Sequence, residues 1–212
     1  MGNTREVEIG DTTLVIHEQE NITDPLTGKE AAGCWIWDCS LVLAHYLATP
    51  SWPPFFFHAK TVIELGAGTG IPGLTAAVMG ANVVLTDVPP LLPGLQKNVD
   101  QNQLGDRVRV RPLTWGEDLD FGELSFSPPV DFILMSDLFY DVKAMPGLCK
   151  TLREISGRNT EILLAYELRY GTTECFRVLR EEGFSCGKVP QEELDPTWQS
   201  DDIGVFRIHK KD

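Results

Sequence analysis

The chain has 212 residues, of which 42% are hydrophobic, and this is enough for one globular domain with a substantial core. Its formal net charge of −13 disfavours binding to the phosphate backbone of nucleic acids and makes a basic protein segment the better partner. Five cysteines without a C-x-x-C pair disfavour a disulfide framework or a zinc site, and no apolar run is long enough to span a bilayer.

The first 50 residues contain two predicted elements. Residues 13–16 are predicted to form a strand. Apolar residues then recur at helical spacing from Trp37 through Leu41 to Leu47, which predicts a helix over this stretch. This helix is expected to end before Pro50, because proline cannot continue a helix.

From residue 61 onward, predicted strands alternate with predicted helices. The strands cover residues 61–65, 82–86, 107–113, 131–135, 161–166 and 204–208. One helix opens at Pro72, and the others cover residues 91–99, 145–155 and 173–182. Such alternation is typical of βαβ units, so the sequence predicts an α/β fold with a mostly parallel sheet.

A glycine-rich turn, Gly66-Ala67-Gly68-Thr69-Gly70, follows the first strand of this series. Glycine lets a ligand approach the backbone, because a Cβ would block the approach or forbid the required φ. Gly68, Gly70 and Gly73 also match the dinucleotide fingerprint G-x-G-x-x-G. Two features argue against a nicotinamide cofactor. The first is that the glycines begin directly after the strand. The second is that Asp87, at the end of the next strand, follows the glycines at a shorter distance along the chain than the acidic residue of that fingerprint does.

Acidic residues around the turn favour a ligand that carries positive charge. Glu64 precedes the glycines, and a carboxylate there suits the ammonium and sulfonium of S-adenosylmethionine better than a pyrophosphate. Asp87 can accept hydrogen bonds from both ribose hydroxyls. The alternative is that Glu64 is a solvated charge and Asp87 a helix cap. Both lie at the predicted carboxyl edge of the sheet, where ligands bind in such folds, and this favours the cofactor.

The segment from Val62 to Gly70 (VIELGAGTG), together with Asp87, resembles the first motif of class I methyltransferases, over about residues 60–170. This resemblance implies the seven-β-strand, Rossmann-like α/β fold, with a mostly parallel sheet and helices on both faces. Four further segments resemble one branch of that superfamily, the non-SET protein lysine methyltransferases known as methyltransferase family 16. They are residues 33–38 (GCWIWD), 113–117 (LTWGE), 131–140 (DFILMSDLFY) and 166–167 (YE), and the similarity extends to residues 200–203.

The resemblance assigns several side chains to the cofactor. It places Trp115 beside the adenine, where a flat ring can stack on a purine, and core packing is the alternative. It places Trp37 over the methionine end, although the helical spacing from Trp37 to Leu41 fits the core equally well. Ser136 joins Gly66, Gly68 and Gly70 on the cofactor side. Trp35 is assigned to packing or to the surface.

Asp137 and Tyr140 form a D-x-x-Y unit at the end of the fourth strand of the series. Methyltransferases that act on nucleic-acid bases typically carry two prolines here, and their absence weighs against a base substrate. A carboxylate and a phenol can align a lysine amine, so these two residues are the predicted catalytic pair. The alternative is that Asp137 caps a helix that begins near Asp141. Tyr166 and Glu167 are expected to border the target channel.

The predicted function is S-adenosylmethionine-dependent methylation of a lysine ε-amine on a protein, with S-adenosylhomocysteine as the product. By resemblance, the substrate is a chaperone, an AAA ATPase or a translation factor. We expect no metal, no nucleic-acid or membrane partner, and a monomer in the cytoplasm or nucleus. Residues 1–50 are expected to cover part of the site in a single domain, with the catalytic core at 60–212. A small-molecule N-methyltransferase and a non-catalytic binding protein are the alternatives.

Overall fold

The computed structural model of the protein describes residues 2–20, 22–23, 28, 31–169 and 171–211. The strands are β1 (Thr4–Ile9), β2 (Thr12–His17), β3 (Thr61–Leu65), β4 (Asn82–Asp87), β5 (Val108–Pro112), β6 (Phe132–Ser136), β7 (Glu161–Glu167), β8 (Phe184–Lys188) and β9 (Ile203–Lys210). The α-helices are α1 (Asp38–Leu47), α2 (Ile71–Val78), α3 (Leu92–Gln101), α4 (Phe121–Leu124), α5 (Met145–Ile155) and α6 (Thr173–Glu181).

Seven strands form one sheet in the order β5-β4-β3-β6-β7-β9-β8. The strands from β5 to β7 are parallel, whereas β9 runs antiparallel to both of its neighbours. The strand order reverses between β3 and β6, where ligands bind in open α/β sheets. Leu65 pairs with Met135 at this point, so the residues that follow these strands leave the sheet side by side. The predicted α/β fold with a mostly parallel sheet is confirmed.

Two hydrophobic clusters cover the faces of the sheet. Val62 of β3 belongs to the cluster that includes residues of α1, α2 and α3, whereas the adjacent Ile63 belongs to the cluster with α5 and α6. Successive strand residues point to opposite faces, so a central strand with helices on both sides needs apolar residues throughout. This is why the central strands are recognisable as continuous apolar runs.

The β1–β2 hairpin docks on α3 through two asparagines that lie one helical turn apart. The side-chain amide of Asn102 bonds both the N–H and the carbonyl of Val15, each at 2.8 Å. Asn98 does the same for His17, at 2.7 and 3.2 Å, and its Nδ2 also donates to the carbonyl of Thr69 at 3.0 Å. The asparagines therefore act like a neighbouring strand for β2, and Asn98 joins the hairpin to the glycine-rich turn.

Several element limits differ from the sequence-based predictions. Helix α1 begins at Asp38, with Trp37 as the residue before it. The predicted strand at residues 13–16 is part of β2, while β1, β8 and the short α4 were not predicted. None of the helices within the described ranges is long and apolar enough to cross a membrane.

Candidate active site

The glycine-rich turn after β3 is approached closely by other parts of the chain. Gly66 and Gly68 have φ values of +56° and +55°, in the left-handed region. A Cβ at Gly68 would lie 3.0 Å from the carbonyl oxygen of Gly33, and one at Gly66 would lie 3.3 Å from Cζ2 of Trp115. Glycine is therefore required for both conformation and space. The segment before α1 lies on Gly68, and the indole of Trp115 lies against Gly66.

Two buried carboxylates accept hydrogen bonds from the backbone of this turn and of the helix that follows it. Asp87, 8% exposed, accepts the N–H of Gly68 and the N–H of Val88, both at 2.7 Å. Glu64 is fully buried, and its Oε2 accepts the N–H of Gly73 at 2.8 Å, whereas its Oε1 has no hydrogen-bond partner among the described residues. Burial raises the pKa of Glu64 to about 8 and the pKa of Asp87 to about 6. Their contacts with a cofactor's ammonium and ribose stay predictions.

Trp115, Tyr140 and Ser136 lie near the same edge of the sheet. Trp115 is half-buried and packs against the hydrophobic cluster of α5 and α6. Its ring centroid lies 6.4 Å from that of Tyr140, whose side chain is exposed. Ser136, the last residue of β6, is half-buried. The structure thus places Trp115 beside Gly66 and the ring of Tyr140 beside Trp115. Their roles at a cofactor and an acceptor stay predictions.

Asp137 is held by an arginine that the sequence analysis did not single out. Nη1 and Nη2 of Arg169 donate to Oδ1 and Oδ2 of Asp137 at 3.0 and 2.5 Å, and Nη2 also bonds Oε2 of Glu167. Asp137 has a φ of +57° and Arg169 follows β7, the strand next to β6. Their position after neighbouring parallel strands was the available signal for this pair. The two-point hydrogen bond fixes the plane of the Asp137 carboxylate.

A cavity of about 340 Å³ opens beside Asp137. Its walls come from the segment around the start of α1, from the ends of β6 and β7, and from residues 200–203. Four carboxylates line it, those of Asp38, Asp137, Glu167 and Asp202, together with the indole of Trp37. Within the described ranges no group of His, Cys, Asp and Glu side chains is arranged to hold a metal ion. The carboxylates and the indole make the cavity an acidic pocket with an aromatic wall.

The structure contradicts the core interpretation of Trp37, while its contact with a cofactor stays a prediction. Its side chain is 42% exposed, and its indole N–H donates to the carbonyl of Ala32 at 2.8 Å. The core interpretation was wrong, because Trp37 precedes α1 and faces the cavity instead of the sheet. Trp35 is 36% exposed, which agrees with the surface alternative of its assignment to packing or to the surface.

Two other expectations at this edge are corrected. Tyr166 does not border the channel: it is fully buried, its hydroxyl bonds Thr172, and its ring packs against Phe176. Because successive strand residues point to opposite faces, only Glu167 of this pair reaches the cavity. Asp137 does not cap the next helix either, since the side chain of Asp141 accepts the N–H there.

Comparison with known proteins shows the family of this chain. The family model for lysine methyltransferases, methyltransferase family 16, matches residues 16–181. The chain belongs to the lysine methyltransferase family. The resemblance noted in the sequence is thereby confirmed, and so is the prediction of an enzyme that methylates lysine in proteins.

Named relatives and a solved structure agree with this family. The lysine methyltransferase described here is 37% identical over 178 residues to protein N-lysine methyltransferase METTL21A of Danio rerio, covering 82% of this chain and 76% of the relative. It is 35% identical over 176 residues to EEF1A lysine methyltransferase 3 of Mus musculus, covering 82% and 73%. The structure of the glycopeptide N-methyltransferase MtfA with (S)-adenosyl-L-methionine aligns with a TM-score of 0.61 at 13% identity, covering 80% of this chain and 86% of that one. This last match shows the shared class I methyltransferase fold.

Proposed function

We propose that this enzyme transfers a methyl group from S-adenosylmethionine to the ε-amine of a lysine in a basic protein segment and releases S-adenosylhomocysteine. The observation that carries the proposal is the position of Asp137. Its neighbour Leu138 lies so close to the glycine turn that a Cβ at Gly66 would be 2.7 Å from Cδ2 of Leu138. Its own carboxylate lines the acidic cavity. Asp137 therefore connects the cofactor side with the acceptor side.

The residues around the glycine turn fit this cofactor. Oε1 of Glu64 is a buried acidic oxygen without a partner among the described residues, and a positive charge nearby would compensate it. The half-buried Trp115 supplies a flat apolar surface for an adenine. Asp87 supplies a carboxylate for ribose hydroxyls at the end of β4. When bound, the cofactor supplies an electrophilic methyl group on a sulfonium, whose sulfur keeps the electron pair of the broken S–C bond.

The acceptor side orients a lysine amine. The amine must lose its third proton before the attack, because its lone pair forms the new N–C bond. Asp137, fixed by Arg169, accepts a hydrogen bond from this amine, and the exposed side chain of Tyr140 helps to orient it. The proton lost before attack leaves to solvent, so the main contributions of the protein are position and the removal of water.

The charge of the cavity favours a basic acceptor segment. Its four carboxylates and the overall net charge of −13 attract lysine- and arginine-rich surfaces. A translation factor, a chaperone or an AAA ATPase is the substrate class that we propose. A translation factor has the most direct support, because EEF1A appears in the name of a relative. We further propose a monomer that acts in the cytoplasm or nucleus without nucleic-acid or membrane partners.

The proposal is tested by transfer of tritiated methyl groups from S-adenosylmethionine into proteins of a cell extract. Labelled proteins are then hydrolysed and their amino acids analysed. Methyllysine in a discrete protein band is the expected result. Label confined to small molecules would favour the alternative N-methyltransferase, and methylarginine would correct the acceptor. Cofactor binding without any labelled product would contradict the enzymatic function.

Replacing Trp37 by alanine is expected to lower the rate of methyl transfer about five- to tenfold, because an aromatic contact is worth roughly 1 kcal/mol. Trp35→Ala is the matched control, since Trp35 has similar exposure and does not line the cavity. Initial rates with labelled cofactor compare the two variants. An equal loss in both would show that Trp37 has no special place in the site.

A further inference from the structure

Arg169 brings a positive charge into contact with the acidic cavity. It contacts Asp137 through two hydrogen bonds and Glu167 through a third. The side chain of Arg169 is 32% exposed and that of Asp137 only 12%, so water screens this pair incompletely. The two carboxylates and the guanidinium together carry one formal negative charge. Without the guanidinium, they would carry two.

Other titratable groups face this cluster from several elements. Helix α1 contributes Asp38 and Cys39, and the segment before β9 contributes Asp202. β7 contributes Tyr166, whose side chain is buried. Burial raises the pKa of the Cys39 thiol and the pKa of the Tyr166 hydroxyl, so both are neutral in the physiological range. The charges that a lysine meets in the cavity are therefore those of the carboxylates and of Arg169.

The balance of these charges matters for the reaction. A lysine enters as an ammonium ion, which has no lone pair for attack. Carboxylates that lack a counter-charge favour the ammonium form, so a site that is too negative would bind lysine well and hold it unreactive. A cation beside the carboxylates opposes this effect.

We propose that Arg169 is a positioning residue that offsets the charge of Asp137, so that the target lysine lies beside Asp137 as a neutral amine. The inference rests on the proposed lysine methyl transfer. The two-point contact also fixes the carboxylate plane of Asp137. Arg169 thus sets both the orientation and the effective charge of the group that aligns the acceptor.

Charge variants measured over a pH range test this role. Wild type and four variants are compared from pH 6.5 to 10 in the labelled-extract assay. Each variant rate is divided by the wild-type rate at the same pH, which cancels pH effects on the extract, and a displaced midpoint is read from the pH dependence of this ratio. Arg169→Met removes the charge, Arg169→Lys keeps it, and Glu167→Gln removes one negative charge. Arg177→Met is the control, because Arg177 pairs with Glu174 and Glu181 on the exposed face of α6.

Arg169→Met is expected to reduce the rate at least tenfold near pH 7. The loss should shrink as pH rises, with the midpoint of the pH–rate profile displaced upward by about one unit or more. Arg169→Lys should keep the wild-type midpoint, and Glu167→Gln should displace it downward. Arg177→Met should match wild type throughout.

Three results would overturn the inference. The first is a loss in Arg169→Met that is the same at every pH, as a purely structural role would give. The second is an Arg169→Lys profile identical to that of Arg169→Met. The third is a Glu167→Gln profile whose midpoint is not displaced downward. This third result decides the question if thermal unfolding shows that Arg169→Met does not fold. If wild type labels no lysine, the proposed function itself fails, and that outcome is distinct from these three.

Discussion

Replacing Asp137 by asparagine is expected to reduce methyl transfer by about 10²- to 10⁴-fold while cofactor affinity stays close to that of wild type. Asparagine keeps the shape of the side chain and tolerates the left-handed backbone at this position, where φ is +57°. It removes the charge that pairs with Arg169 and weakens the acceptor for the lysine amine. Alanine would be less informative, because it would add backbone strain to the chemical change.

Single-turnover rates with labelled cofactor measure the effect of Asp137→Asn, and quenching of tryptophan fluorescence measures cofactor binding. Asp141→Asn is the control. Asp141 lies four residues further along the chain, and its exposed side chain accepts the N–H of Lys143. The Asp141→Asn variant should keep near-normal activity. A rate in Asp137→Asn above one tenth of the wild-type rate would exclude Asp137 as the group that aligns the acceptor.

Glu64 is expected to make the ligand-free protein less stable as pH rises from 4.5 to 8. Burial raises the pKa of Glu64 from 4.5 to about 8 in the folded state. Between these values the folded protein binds more protons than the unfolded chain, so the free energy of unfolding falls as pH increases. The loss over the whole window is on the order of 5 kcal/mol. Asp87, whose pKa burial raises from 3.8 to about 6, acts in the same direction over the lower part of this range.

Glu64→Gln should flatten this pH dependence and raise the stability of the ligand-free protein at pH 8. The glutamine oxygen can still accept the N–H of Gly73, while the buried charge is gone. Urea unfolding of both proteins at pH 5, 6.5 and 8 measures the difference. Glu181→Gln, on the exposed face of α6, is the control and should retain the wild-type slope. An equally steep slope in Glu64→Gln would show that another group carries the effect.

The central strands were predictable from sequence, whereas two outer ones were not. β3, β6 and β7 are buried on both faces and form apolar runs that need no partner to be recognised. β1 buries only Val7 and Ile9 and exposes its charged residues Arg5, Glu6 and Glu8. β8 is an edge strand in which only Phe184 is fully buried. Short strands with so few buried residues leave a weak pattern in the sequence.

Residues of the site were predictable where the signal was local. Asp87 ends β4, Asp137 follows β6, and the glycine turn is contiguous, so strand prediction was enough to place them at the same edge of the sheet. The contacts of Gly33 with Gly68 and of Arg169 with Asp137 join distant segments and depend on strand order. The wrong expectation for Tyr166 arose because the face of a strand residue depends on register, which the sequence pattern alone did not settle.

The acceptor cavity takes much of its wall from residues 36–39 and 200–203, outside the β3–β7 portion that carries the glycine turn. Under the proposed function, most of the wall that meets the target protein therefore comes from stretches other than the glycine turn, and only Trp37 in these stretches is also predicted to meet the cofactor. Exchanging the two short stretches with those of a relative, with Trp37 kept, is expected to transplant target preference while the glycine turn stays as it is.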